Sequence, residues 1–112
     1  LTLSGVLDAH AASFAEKACK PVTPNELDGL VASEKATHVV FFASWCASCK
    51  IDLAAKYERP LFVATFDTPS AAAKAFFSVE AVAGKPCYFD TDNAVARAWK
   101  VGGVPHVREI GK

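Results

Sequence analysis

The chain has 112 residues, 52% of them apolar and 21% charged, which is enough for one hydrophobic core and too short for two. Its Lys and Arg total of 12 equals its Asp and Glu total of 12, so no excess of positive charge selects a nucleic acid or an anionic membrane as partner. The longest apolar run, Val39 to Ala47, is no more than half of the ~18–20 residues that a spanning helix needs, and the composition predicts a soluble globular chain.

In chain order, the start at Leu1 rather than Met reads as a processed or excised piece from which an export signal has been removed. Val6, Leu7, Ala11, Phe14, Ala15 and Ala18 recur near helical spacing and predict a helix over Ser4 to Lys17, ended by Lys20-Pro21. Residues 1–22 are therefore read as a helical extension and 23–112 as the main domain. Thr23-Pro24-Asn25-Glu26 carries a helix start, with a hydroxyl cap, Pro at the first helical position and Glu at the third. Leu27, Leu30 and Val31 supply the buried stripe of that helix.

Thr37 to Ala43 (T-H-V-V-F-F-A) is too continuously apolar for a one-sided strand and predicts a central strand buried on both faces. After a break at Ser44-Trp45, a helix is expected from Cys46 to Tyr57, stopped before Pro60. Leu61 to Phe66 reads as a second buried strand. Asp67-Thr68-Pro69 opens a helix carrying Ala72, Ala75, Phe76 and Val79 and ending near Gly84. Cys87-Tyr88-Phe89 is a short extended piece, and Asp92 or Asn93 caps a brief helix to Trp99. A turn at Gly102-Gly103-Val104-Pro105 leads into a strand from His106 to Ile110. Strands separated by helices predict an α/β fold, a sheet with parallel pairs and helices on both faces.

Four cysteines, at 19, 46, 49 and 87, are too few for a disulfide-stapled scaffold, and their spacing carries the information. Cys46 and Cys49 stand three positions apart where the central strand hands over to the expected helix. Thiols so placed can close a disulfide with little backbone movement. At a helix N-terminus Cys46 would be held as the thiolate and act as the attacking nucleophile, with Cys49 shielded as the resolving thiol. The redox group is then the Cys46–Cys49 disulfide itself, and no separate cofactor is called for. Half of a zinc site is the competing reading, but a second Cys pair or an H-x-x-x-H is missing. Cys19 and Cys87 can pair, react separately or serve as buried small hydrophobes.

The motifs V-V-F-F-A-S-W-C-A-S-C-K (Val39 to Lys50) and W-K-V-G-G-V-P (Trp99 to Pro105) resemble the thioredoxin superfamily. The stretch Cys87 to Lys112 is more similar to bacterial TlpA-type thiol–disulfide oxidoreductases, and W-C-x-x-C-K to the reducing domain of DsbD-type proteins. The resemblance implies a thioredoxin-like domain over 23–112, with a central mixed sheet flanked by helices. It implies Pro105 as a cis-proline packed against the Cys46–Cys49 pair, Val104 as the residue whose backbone pairs with substrate, and Trp45 as an aromatic wall of the substrate site. It also implies a protein disulfide or dithiol as substrate, an upstream redox partner, the reducing direction, and a periplasmic or otherwise exported location.

Three departures stand beside the resemblance. Val40 occupies the place of the family's buried acid and Thr65 that of its Lys partner, so proton handling must use water or another carboxylate such as Asp67. Ala47-Ser48 between the cysteines matches neither the reducing nor the oxidising signature. The family's final strand and closing helix would fall beyond Lys112, so the chain is read as a variant or trimmed fold, as one whose N-terminal segment replaces these elements, or as a sheet whose edge at His106 to Ile110 a second copy completes in a homodimer. His106 is read as a strand histidine that could instead tune the sulfurs, Trp99 as a core anchor, and Asp90 and Asp92 as turn and cap residues. Two other functions remain open. One is a redox-inactive binding module of the same fold; the other is metal delivery through Cys46, Cys49 and a third ligand such as His106.

Overall fold

The structure, a computed structural model, describes residues 18–111. The helix expected over Ser4 to Lys17 lies outside the described residues. Five strands, β1 (Lys20–Val22), β2 (His38–Phe42), β3 (Pro60–Ala64), β4 (Cys87–Asp90) and β5 (His106–Glu109), form one sheet in the order β1-β4-β3-β2-β5. The first four run parallel, and β5 lies antiparallel to β2. The described residues also form four α-helices: α1 (Pro24–Ser33), α2 (Ile51–Ala54), α3 (Pro69–Phe77) and α4 (Ala94–Trp99). The architecture is α/β with a mixed sheet.

Alternation along each strand explains the unbroken apolar runs, because successive side chains point to opposite faces. Val40 and Phe42 of β2, with Phe62 and Ala64 of β3, face a core closed by Ile51 and Ala54 of α2 and Ala72 and Phe76 of α3. Val39 and Phe41, with Leu61 and Val63, face a second core closed by Leu27 of α1 and Val95 and Ala96 of α4. Helices thus cover both faces, the condition that keeps a parallel sheet dry. On the first face Phe76 is the centre of an aromatic cluster, its ring centroid 5.4 Å from Phe62 and 5.8 Å from Phe42.

The start of α1 matches the sequence reading. Glu26 N–H donates to Thr23 Oγ1 at 3.1 Å while Thr23 N–H donates to Glu26 Oε1 at 2.8 Å, with Pro24 at the first helical position. The start of α4 does not. Asn93 has a left-handed backbone (φ 58°) and caps nothing; Asp90, fully buried, accepts from Val95 N–H at 2.7 Å and Ala96 N–H at 2.9 Å instead. Thr65 Oγ1 donates to the same carboxylate at 2.8 Å, so the buried charge is satisfied on every side. The helix expected to run to Gly84 stops at Phe77, and a single 3-10 turn at Glu80–Val82 follows before Gly84 takes φ +81°.

Strand β1 was not foreseen, since three residues containing a proline carry no periodic signal. It lies at the sheet edge, the place where a strand proline is tolerated. Cys19, just before it, is disulfide-bonded to Cys87 at the start of β4 across 68 residues, with the two residues 5% and 2% exposed. Together with the Cys46–Cys49 bridge this makes two disulfides, which point to an oxidising, exported environment. Among the described residues no helix is long and apolar enough to cross a membrane.

Candidate functional site

The segment between β2 and α2 holds Cys46 and Cys49 as a closed disulfide with Cα atoms 5.4 Å apart, both residues half-buried. The helix expected from Cys46 to Tyr57 is corrected here: Cys46 to Lys50 form turns, and α2 covers only Ile51–Ala54. Local hydrogen bonds show why. Cys46 N–H donates to Ala43 O at 3.2 Å, Cys49 N–H to Cys46 O at 3.2 Å and Ile51 N–H to Cys49 O at 2.8 Å, a run of short loops that α-helical geometry does not contain. At the far end Arg59 N–H donates to Thr37 Oγ1 at 3.1 Å and its Nε–H to Lys35 O at 2.8 Å, holding the chain beside the residues that precede β2. Cys46 therefore does not sit at a helix N-terminus, and the dipole argument for its thiolate does not apply.

The approach to Cys46 is clamped by the turn after β3. Asp67 accepts from Ser44 N–H at 2.6 Å, Ser44 Oγ–H at 2.9 Å and Thr68 N–H at 2.8 Å. Its carboxylate is committed to holding the loop rather than facing the sulfurs as an open base. Phe66, in the left-handed region at φ 56°, accepts from Trp45 Nε1–H at 2.8 Å and donates its own N–H to Asn93 Oδ1 at 3.1 Å. Trp45 is 62% exposed, yet its indole is fixed by that hydrogen bond. The ring walls an open groove of about 900 Å³ together with Phe66, Pro69, Asp92 and Asn93.

On the other side of the disulfide, Cys49 and Pro105 line one cavity of about 280 Å³ with Leu53, Tyr57 and Val107. The Val104-Pro105 peptide is cis. Val104 itself packs against the second core, so its side chain does not share that cavity. The expected site residues thus divide between Cys49 with Pro105 on one wall, Trp45 on another and Val104 behind. Val40, in place of an acid, lines the cavity as an apolar wall.

His106 does not reach the sulfurs. In the β2–β5 register it opposes Phe41, and its ring packs edge-on to Phe41 at 5.8 Å, on the face opposite Val40, Phe42 and Val107. Burial, and next the charge of Arg108, hold its imidazole below the ordinary value. Arg108 is turned to the same face, donating to Trp99 O at 2.7 Å. Among the described residues no group of three or more His, Cys, Asp or Glu side chains could hold a metal ion.

Two participants were not singled out for their roles. The Phe66–Asp67 turn is joined to the motif across more than twenty residues, which no local pattern encodes. Ser48 is the other: its Oγ lies 3.8 Å from Cys46 Sγ, and its position two residues after Cys46 was the available signal. Comparison of the chain with protein-family models, with curated proteins and with solved structures finds no match.

Proposed function

We propose that the chain is a thioredoxin-like thiol–disulfide oxidoreductase that reduces disulfides of protein substrates through Cys46 and Cys49. The observation that carries this reading is the contrast between its two disulfides. Cys19–Cys87 is sealed in the core, whereas Cys46–Cys49 closes a half-exposed loop at the end of the central strand, beside Pro105 and the exposed Trp45. The placement of β5 antiparallel beside β2, directly after Pro105, supports a thioredoxin-like topology in which β5 stands at the edge of the described sheet.

In the reducing direction, Cys46 thiolate attacks one sulfur of a substrate disulfide. A Cys46–substrate bond forms and the second substrate sulfur leaves as a thiolate that takes a proton from water. Cys49, once deprotonated, attacks Cys46 Sγ, closes the Cys46–Cys49 disulfide and displaces the substrate sulfur that Cys46 had attacked, which takes a proton from water and leaves as the other thiol. Two electrons have passed to the substrate, and an upstream dithiol protein must return them. Val104 offers backbone to an extended substrate, and Trp45 offers an aromatic face. The bacterial periplasm, or another exported compartment, is the setting this chemistry and the sealed disulfide favour. The edge of β5, where Val107 is 41% exposed, is the proposed surface for a homodimer; a solution mass of one chain at all concentrations excludes it.

Reduction of insulin disulfides tests the function. The wild-type protein is expected to cycle and Cys46→Ser to lose the activity, while Cys49→Ala accumulates a mixed disulfide with substrate. A wild-type protein that does not cycle leaves a binding module of the same fold; stoichiometric copper or zinc after purification favours metal delivery.

A further inference from the structure

We infer that the Ser48 hydroxyl is the donor that stabilises the Cys46 thiolate, which makes Ser48 a catalytic residue of the exchange. This rests on the oxidoreductase reading of the site and deepens it.

A nucleophilic thiolate needs a hydrogen-bond donor, a cation or a helix N-terminus beside it. The helix is removed from Cys46, since α2 begins at Ile51 and runs for only four residues. The N–H groups of Cys46 and Cys49 are spent within the turns, on Ala43 O and Cys46 O. Ser44 N–H and the Trp45 indole N–H are turned away, to Asp67 and to Phe66. His106 lies on the other face of the sheet. Ser48 Oγ lies 3.8 Å from Cys46 Sγ, within hydrogen-bonding reach of that sulfur. In the disulfide neither sulfur carries a proton, so the hydroxyl is the donor in this pair. When the bond opens and Cys46 becomes S⁻, the same hydroxyl meets a full negative charge, and a hydrogen bond to the charged form favours that form. Ser48 is exposed, so replacing it removes the donor without opening a cavity.

The test uses the reduced full chain carrying Cys49→Ala, so that Cys46 is the single active-site thiol, with Ser48 intact or changed to Ala or Thr. Alkylation by iodoacetamide, which forms the Cys46 sulfur–carbon bond and releases iodide, is followed against pH; circular dichroism verifies the fold of each variant. Ser48→Ala is expected to slow alkylation at neutral pH about fivefold and to move the profile to higher pH, as loss of a hydrogen bond to an exposed charged group would. Ser48→Thr, which keeps the hydroxyl, is expected to restore the parent profile. Superimposed Ala and Ser profiles overturn the inference. The readout needs no substrate, so the two readings fail separately. A Ser48-dependent profile in a protein that reduces no insulin supports the hydrogen bond and removes the enzyme, whereas a Ser48-independent profile in an active reductase overturns the inference alone.

Discussion

His106 shows how one side chain next to a reactive motif in sequence can belong to a different part of the molecule. It follows Pro105 directly, yet strand alternation turns it toward Phe41, with Arg108 at 3.3 Å from its Nε2. Its pKa is lowered by burial and then by Arg108, so below the ordinary value of 6.5 the unfolded chain binds more protons than the folded one. Stability from this group is complete above that value and is lost as pH falls through the lower folded value. The effect is small because the ring is half-exposed. His106→Gln is expected to flatten the pH dependence of the urea midpoint between about pH 5 and about pH 7; an unchanged slope would assign the dependence to other groups. Asp90 makes the complementary point. The sequence placed the cap of this helix at Asp92 or Asn93; that Asp90 caps α4 across the intervening turn and also receives Thr65 became visible only when β3 and β4 were adjacent.

Elements with a complete local signal were legible in the sequence, and those shaped by distant contacts were not. Strands β2 and β3 and helix α1 carry their reasons within a few residues, as β-branched and aromatic runs or as a capping box. The segment after Cys46 has helix-forming residues, but its hydrogen bonds close short turns from Cys46 to Ile51, and α2 is a single turn over Ile51–Ala54. So short a helix contributes little by itself, and the first core depends on α3. Phe76 is fully buried among Phe42, Phe62 and Phe77, and Phe76→Ala is expected to cost about 3–5 kcal/mol in urea unfolding. A loss below about 1 kcal/mol would mean that this face repacks without it.

For the whole molecule, the two disulfides differ in burial and in the length of chain they close. Cys19–Cys87 closes 68 residues and ties the edge strand β1 to β4, a constraint worth about 4 kcal/mol by chain-entropy reasoning. Cys46–Cys49 closes a loop too short to matter in that way and lies within reach of solvent. Mild dithiothreitol on the folded protein is expected to open Cys46–Cys49 alone, with Cys19–Cys87 yielding only in denaturant; mass mapping of alkylated thiols reads the order. Equal reduction of both under native conditions would remove the distinction on which the proposed function rests.

Composition, apolar runs and the three-residue spacing of Cys46 and Cys49 were enough to predict an α/β fold with a cysteine pair able to close a disulfide after a central strand, because each depends on neighbours in the chain. The pairing of Cys19 with Cys87, the strand β1, the clamp from Asp67, the face taken by His106 and the turn geometry that leaves Ser48 beside Cys46 were decided by folding. Each joins groups through sheet register or loop contact, and those relations come into being only when the strands are side by side.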